Sequence, residues 1–288
     1  MSAKVYFSKN ITPDEVVRLY KTVGRELKGK VAVKLHSGEE GNQNFLKPEF
    51  WKPMIEEVKG TAVECNTAYD GSRNTTLKHK QLIKKHGWED YFDFDLMDAE
   101  GPDAELTVEN GKRLKKDIVG KNLLNYDSML VLAHFKGHPM GGYGGALKQL
   151  SIGCASSKGK QFIHGGGDLS KVWICEQNEF LEAMADAASA VTKHFEGNIV
   201  FINVMKNLSV DCDCCAIAED PCMQDIGILA STDPIAIDQA CIDLIYAAKN
   251  DKGQGHFIER VESKNGVHTI EAAAELGFGT REYELISL

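Results

Sequence analysis

Four cysteines crowd into one short stretch of the chain, and their type and spacing indicate metal or redox chemistry. Cys212, Cys214 and Cys215 are nearly consecutive, and Cys222 follows shortly afterwards, directly behind a proline. Thiolates bind soft metals strongly, and cysteine-rich sites select zinc or iron–sulfur clusters. Because adjacent cysteines do not readily point at one centre, we expect at most three of the four to ligate together, with Cys154 as a candidate for the remaining position.

The spacing of these cysteines decides between the metals only in part. It is neither the paired CxxC pattern of zinc fingers nor the CxxCxxCxxxCP run of ferredoxins. We therefore favour an iron–sulfur cluster, most simply of the 4Fe–4S type, and keep zinc as the alternative and redox-active or inert thiols as a third interpretation. Cys65 and Cys175, in strand-like runs, and Cys241, on an apolar helical stripe, are more typical of core residues.

A glycine-rich segment between His134 and Lys148 is the second feature with chemical potential. Its glycines let the backbone approach a ligand and offer N–H groups at a predicted helix start, which is a ready anion site; they are Gly141, Gly142, Gly144 and Gly145. Lys148, one turn into that helix, adds a positive charge. The pattern is neither a Walker A motif nor GxGxxG, so no nucleotide is indicated. The alternative is a tight turn whose glycines serve packing alone.

Three histidines flank these glycine-rich turns and are candidates for proton transfer or metal ligation: His134, His138 and His164. The sequence His164-Gly-Gly-Gly resembles a lipase oxyanion loop, but the chain has no GxSxG elbow, which excludes a serine hydrolase of that type. Asp225 and Asp238 are weaker site candidates.

The alternation of short β-branched runs with amphipathic stretches predicts an α/β fold, with a mixed or mostly parallel sheet and helices on both faces. Strands are expected at 4–8, 30–35, 61–65, 128–133 and 198–204, and helices at 13–23, 50–59, 76–86, 146–151, 179–194, 234–248 and 269–276. The cysteine cluster follows the strand at 198–204, so it should lie at the carboxyl edge of the sheet, where open α/β sheets place their sites.

Composition and charge narrow the function classes. The 288 residues carry a formal net charge of −9, and without a long basic run such a chain is a poor nucleic-acid binder. No apolar run approaches the roughly 20 residues that cross a bilayer, and the N-terminus lacks the apolar centre of an export signal. We expect a cytoplasmic protein. It forms either one unit over 1–288 or two closely packed subdomains with a boundary near 90–120. A homo-oligomer is also compatible with the sequence.

Three long segments resemble the domain-of-unknown-function family 362: HFKGHPMGGYGGALKQLSIGCASSKGK, MKNLSVDCDC and DIGILASTDPIAIDQACIDL. Members of this family are often described as iron–sulfur proteins, and many insert a ferredoxin-like segment after the position that matches residues 156–160. This chain passes directly from Lys160 to Gln161, so two-cluster electron transfer is not implied. The cysteines at 212–215 match the family's own core motif, and the resemblance supports an iron–sulfur or metal protein.

The leading hypothesis is thus an iron–sulfur protein of redox function, a reductase or electron-transfer protein. Its cluster would be held by Cys212, Cys214 and either Cys215 or Cys222, facing a small anionic ligand on the glycine loop. The first alternative is a non-redox metalloenzyme, a hydrolase, isomerase or lyase, that uses the histidines on a divalent ion. The second is a metal or cluster carrier whose thiolates pass their cargo onward.

Overall fold

An eight-stranded sheet forms the centre of the computed structural model, which describes residues 2–101 and 103–288. The strands of the described chain are β1 (Ala3–Ser8), β2 (Val31–Lys34), β3 (Thr61–Glu64), β4 (Phe94–Leu96), β5 (Ala104–Thr107), β6 (Lys116–Val119), β7 (Ser128–His134), β8 (Lys136–His138), β9 (Gly142–Gly144), β10 (Ile199–Met205), β11 (Gly227–Ser231) and β12 (Tyr283–Ser287). Strand order across the large sheet is β12-β1-β11-β10-β7-β2-β3-β4. Two hairpins, β5–β6 and β8–β9, lie outside it.

The direction of the strands confirms the predicted mixed, mostly parallel sheet. Every pair of neighbours is parallel except the two that involve β11, which runs antiparallel to both β1 and β10. The central strands β7 and β10 are apolar and buried along their whole length, as expected for strands covered on both faces.

Helices cover both faces of the sheet, as predicted. They are α1 (Pro13–Val23), α2 (Pro48–Val58), α3 (Thr76–Lys85), α4 (Ala146–Cys154), α5 (Ser157–His164), α6 (Gln177–His194), α7 (Pro234–Ala247), α8 (Gln254–Ser263) and α9 (His268–Glu275). One apolar cluster joins α1 and α2 to one face, and a second joins α4, α7 and the inner side of α6 to the other.

Local signals explain where several helices begin. Thr12 caps α1 with its hydroxyl, and Pro13 occupies the first turn, where its missing N–H carries no penalty. Asp233 caps α7 by accepting hydrogen bonds from the amides of Ile235 and Ala236 at 2.9 and 3.0 Å, with Pro234 again in the first turn. Both helix starts agree with the predicted ranges 13–23 and 234–248.

The structure departs from the sequence prediction in several places, since no element was predicted for β8, β9, β11, β12, α5 and α8. Residues 93–119, for which the sequence predicted no helix or strand, form β4 and the β5–β6 hairpin, and the hairpin packs on α5 and α6. The interpretation of Cys175 as part of a strand is wrong, because residues 172–175 form turns in which Trp173 takes a left-handed φ of 68°. Cys65 and Cys241 are buried core residues, as expected. The subdomain boundary near 90–120 stays a prediction.

A buried carboxyl on β6 makes this hairpin sensitive to pH. Asp117 is fully buried, and neither of its side-chain oxygens has a hydrogen-bond partner within the described parts of the chain. Burial raises the pKa of Asp117 to about 8, and the charge of Lys160 opposes the shift only partly. The folded state therefore favours the protonated carboxyl.

We expect Asp117→Asn to increase stability near pH 8 by roughly 3–5 kcal/mol and to leave it nearly unchanged near pH 4. A raised folded-state pKa means that the stabilisation is complete below the unfolded pKa of about 4 and is lost as the pH rises to about 8. Denaturant unfolding of both proteins across this range measures the difference, and Glu105→Gln, exposed on the neighbouring strand, is the control. A difference between the proteins that is constant with pH would contradict the assignment.

Candidate metal centre and cationic cavity

Four neighbouring parallel strands, β10, β7, β2 and β3, end at the same edge of the sheet and place the candidate site there. Lys34 and Glu64 are the last residues of β2 and β3, and His134 is the last residue of β7. The irregular segment after β10, residues 206–226, carries the cysteines and is called the cysteine loop below. The predicted location of the cysteines at this edge is confirmed.

A cavity of about 240 Å³ opens at this edge, and its walls are rich in basic side chains. The basic residues that line it are Lys34, Arg73, Lys136, Lys148 and Lys160. Cys214, Cys215 and His138 form one end, which is called the thiol end below. A cavity of this size admits a small molecule and not a dinucleotide.

The side chain of Asp213 fastens the cysteine loop to the sheet. It lies between Cys212 and Cys214 and is buried, and its carboxylate accepts a hydrogen bond from Nδ1 of His134 at 2.9 Å. The Nζ atom of Lys136 lies 3.0 Å from its other oxygen. Burial opposes the charge, but His134 and Lys136 outweigh it and hold the pKa of Asp213 well below its usual range.

Backbone carbonyls of the same loop are held by a second segment, the one that follows β2. The amide of Glu39 donates to the carbonyl of Asp213 at 2.8 Å, and the side-chain amide of Asn42 donates to the carbonyl of Cys215 at 2.8 Å. The hydroxyl of Tyr69 donates to the carbonyl of Cys214 at 3.2 Å. The cysteines therefore sit on backbone that is fixed from two sides, which is the preorganisation that a ligand site requires.

Cys212 lies among positive and hydrogen-bonding groups that favour its thiolate. Its Sγ accepts from Nζ of Lys148 at 3.3 Å and from the amide of Cys214 at 3.4 Å. Burial alone raises the pKa of the Cys212 thiol, but the Cys214 thiol and the charge of Lys148 more than reverse this and hold the pKa well below its usual value. The Cys212 thiolate in turn raises the pKa of Lys148, despite its burial.

His138, Cys212 and Cys214 form a group with metal-ligand chemistry. One potential ligand atom from each lies within 4.8 Å of the other two, and Nε2 of His138 is 3.8 Å from Sγ of Cys214. Hydrogen bonds to Cys212 and Cys215 raise the pKa of the Cys214 thiol, so binding a metal there would release its proton. This His/Cys group can bind a soft metal ion.

Metal binding by His138 depends on which nitrogen of its ring carries the proton. Its Nδ1 accepts from the amides of Gly141 and Met140 at 2.9 and 3.1 Å. Burial lowers the pKa of His138 to about 4, so the ring is neutral and its proton resides on Nε2, which faces the thiols. Ligation through Nε2 therefore requires that this proton leaves and that the turn at 138–141 adjusts.

The glycine-rich segment folds as the β8–β9 hairpin followed by α4. The first amides of α4, on Ala146 and Leu147, donate to the carboxylate of Asp238 at 2.8 and 3.0 Å. Asn203 also donates to this carboxylate, at 2.7 Å. The helix start that was expected to meet a ligand thus meets a carboxylate from α7, while Gly144 and Gly145 line the cavity.

A known protein family matches the part of the chain that forms this site. The family model described as a domain of unknown function (DUF362) matches residues 31–243, well over half of the chain. The chain belongs to this family. The matched range contains the cysteine loop, the glycine-rich segment and every residue that lines the cavity. No curated protein matches the chain.

Two solved structures are similar to this DUF362 chain at low identity. The lactate racemase apoprotein from Thermoanaerobacterium thermosaccharolyticum aligns with 15% identity and a TM-score of 0.45, over 69% of this chain and 50% of the racemase chain. A structural-genomics target from Thermotoga maritima aligns with 11% identity and a TM-score of 0.44, over 92% of this chain and 59% of its own. The chain thus spans only about half of either structure.

The structure brings together some of the predicted site residues and separates others. Cys214, Cys215, His138 and Lys148 line the cavity together, and Cys212 contacts Lys148 from behind its wall. His164 also lines the cavity, with its ring stacked on Phe180 and tilted against Trp173. Burial lowers the pKa of His164 to about 3, so its ring is neutral.

Three of the predicted histidines and cysteines belong neither to the His138–Cys212–Cys214 group nor to the walls of the cavity. The Sγ atoms of Cys154 and Cys222 donate to the backbone carbonyls of Gln149 and Leu208, respectively. His134 has both ring nitrogens engaged, by Asp213 and by the carbonyl of Lys206 at 2.5 Å. Its role is therefore to hold the cysteine loop.

Several cavity residues escaped the sequence analysis. Lys34, Glu64 and Arg73 line the cavity and are almost completely buried. The available signal was a charged residue inside an otherwise apolar strand, as in VAVK for Lys34 and TAVE for Glu64. A buried charge requires a partner, so such positions mark a site. In the described chain, no helix is both long and apolar enough to cross a bilayer.

Asp213→Asn is expected to destabilise the protein by about 3–5 kcal/mol, because it leaves two buried basic side chains, His134 and Lys136, without their carboxylate. Denaturant unfolding at neutral pH measures the loss. Asp220→Asn, an exposed position of the same loop, is the matched control and should stay within about 0.5 kcal/mol of the parent protein. A loss below about 1 kcal/mol for Asp213→Asn would show that this carboxylate does not hold the loop.

Proposed function

We propose that this protein is a metal-dependent enzyme for a small anionic substrate, with one soft metal ion bound by Cys212, Cys214 and His138 at the thiol end of the cavity. The observation that carries the proposal is this three-residue group itself, of which His138 and Cys214 line a small cavity rich in lysines and Cys212 lies directly behind them, in contact with the cavity residue Lys148. Three protein ligands leave a coordination position for a substrate, as in catalytic zinc sites.

The spacing of the ligand atoms favours one ion over a cluster. A tetrahedral ion with sulfur and nitrogen ligands at about 2.0–2.3 Å brings those ligand atoms to roughly 3.5–3.8 Å from one another. The three atoms lie within 4.8 Å of each other, so a small inward movement completes such a site. Cluster ligands bind different iron atoms and must be spread further apart.

The chain's own residues supply binding and charge around the ion. Lys148 balances the Cys212 thiolate, while Lys136 is committed to Asp213. A bound ion of this kind would polarise a substrate oxygen or lower the pKa of a bound water. The neutral ring of His164, whose Nδ1 has no hydrogen-bond partner in the part of the chain that is described, can exchange a proton with a ligand in the cavity.

A second candidate function, an iron–sulfur redox protein, is favoured by one observation. Cys215 also lines the cavity, and its thiol interacts with that of Cys214, which lowers the pKa of Cys215. Three thiols at one end of a cavity could hold a cluster through Cys212, Cys214 and Cys215. The protein would then reduce a small anion or pass electrons to a partner protein, and its cavity would serve the same anion.

Metal analysis of anaerobically purified protein tests both candidates. We expect about one equivalent of a soft divalent metal and no acid-labile sulfide, with metal affinity lowered at least tenfold in Cys212→Ser and Cys214→Ser. Cys222→Ser, whose thiol lies outside the group, is the control and should keep its metal. Iron with matching sulfide and a broad visible absorption band would instead support the cluster. Protein that binds neither after reconstitution would contradict both functions.

A second pair of variants identifies the third ligand. We expect His138→Ala to lower the affinity for the metal by about 10- to 100-fold and Cys215→Ser to change it little. The same equilibrium titration with a competing chelator measures both. If Cys215→Ser abolishes binding and His138→Ala does not, the proton on Nε2 of His138 has kept this ring out of the coordination sphere, and the site is a three-thiolate centre.

A further inference from the structure

We propose that the cavity holds a second anion-binding site besides the thiol end, and that the ligand is a small dianion whose second anionic group binds there. The site consists of Lys34 and Lys160, together with Gln149 and Gly153 beside Lys34, and is called the lysine pocket below. The position of the first anionic group rests on the proposed function, whereas the lysine pocket rests on its own contacts.

The two ammonium groups of the lysine pocket lack carboxylate partners. Lys34 is only 1% exposed, and its Nζ donates to the carbonyl of Leu35 and, at 2.8 Å, to Oε1 of Gln149. Lys160 is 7% exposed, and its Nζ donates to the carbonyl of Ala155 at 2.6 Å. Within residues 2–101 and 103–288, neither Nζ has a carboxylate oxygen within 4.0 Å.

The carboxylate of Glu64, at the end of the strand next to that of Lys34, is already engaged by other groups. Glu64 accepts from Nη1 of Arg73 at 3.1 Å and from the hydroxyl of Ser37 at 2.5 Å, and Nε2 of His79 lies 3.2 Å away. An ammonium has three N–H donors, so Lys34 and Lys160 keep hydrogen-bonding capacity for a ligand.

Burial makes these charges expensive in the absence of an anion. Desolvation lowers the pKa of Lys34 to about 8; the charge of Glu64 opposes the shift, and that of Lys160 adds to it. A protein that buries a lysine without a counter-ion forgoes stability, and a bound anion would recover it. This pattern is typical of a site that is completed by its ligand.

The backbone leaves room for Lys34 to reach the cavity. A Cβ atom on Gly153 would lie 2.6 Å from Cε of Lys34 and 3.0 Å from its Nζ, so a larger residue at 153 would displace the ammonium. Helix α4 contributes to both sites: Lys148 contacts Cys212, whereas Gln149 and Gly153, one turn apart on the same helix, face Lys34. Both sites line one cavity of about 240 Å³, which suits a short dicarboxylate.

Calorimetric titration with succinate and with butyrate, which has the same carbon count and one charge fewer, tests the lysine pocket. At pH 7 we expect the protein to bind succinate at least about tenfold more tightly than butyrate, and Lys34→Met and Lys160→Met each to remove most of that preference. Lys158→Met, exposed on the same helix as Lys160, is the control and should retain it. Phosphonopropionate in place of succinate distinguishes a carboxylate from a phosphoryl group at the second site.

The outcomes separate this inference from the proposed function. The preference for succinate should persist, at lower affinity, in protein stripped of metal by a chelator, since the lysine pocket contains no metal ligand. Equal affinity for succinate and butyrate, or a preference retained in both Lys34→Met and Lys160→Met, would overturn the inference. Thermal unfolding of each variant verifies that it is folded, and loss of a buried unpaired charge should leave Tm unchanged or raised.

Discussion

The buried hydrogen bond of Asp213 with His134 and its ion pair with Lys136 are the interactions on which the candidate site depends. The three residues come from the cysteine loop and from the chain around the end of β7, so one carboxylate joins two distant segments. Because Asp213 lies between Cys212 and Cys214, fixing its side chain to the sheet also fixes the two thiols on either side. Breaking a buried pair leaves an uncompensated charge, which makes this arrangement difficult to distort.

The buried carboxylate of Asp238 determines which group the glycine-rich segment and the start of α4 bind. Asp238 accepts the first amides of α4 and so occupies the position that an external anion would take at a helix start. This contact orients α4, which carries Lys148 towards Cys212 and Gln149 towards Lys34. The positive charge of the cavity therefore comes from lysine side chains, and the glycines contribute close packing around them.

The sequence predicted the positions of helices and strands better than it predicted which side chains contact one another. Local patterns, namely periodicity, capping residues and strand ends, account for the fold class, for the starts of α1 and α7 and for the position of the cysteines after β10. Lys34 was missed because its partner Gln149 lies 115 residues later in the chain. Glu64 and Arg73 have partners nearer in sequence, but only the folded chain places them on the wall of the cavity. Asp238 likewise binds amides about ninety residues earlier in the chain. The Cys175 turn was missed for a local reason, because Trp173 takes a left-handed φ within the β-branched run.

X-ray absorption spectroscopy at the edge of the bound metal, on protein purified without oxygen, tests the central claim most directly. A single ion in the His138–Cys212–Cys214 group predicts two sulfur neighbours at about 2.3 Å, one nitrogen at about 2.0–2.1 Å and no metal neighbour. Strong scattering from a second metal atom would show a cluster in its place. A shell made only of oxygen neighbours would show that the thiols do not bind the metal, and it would contradict the account.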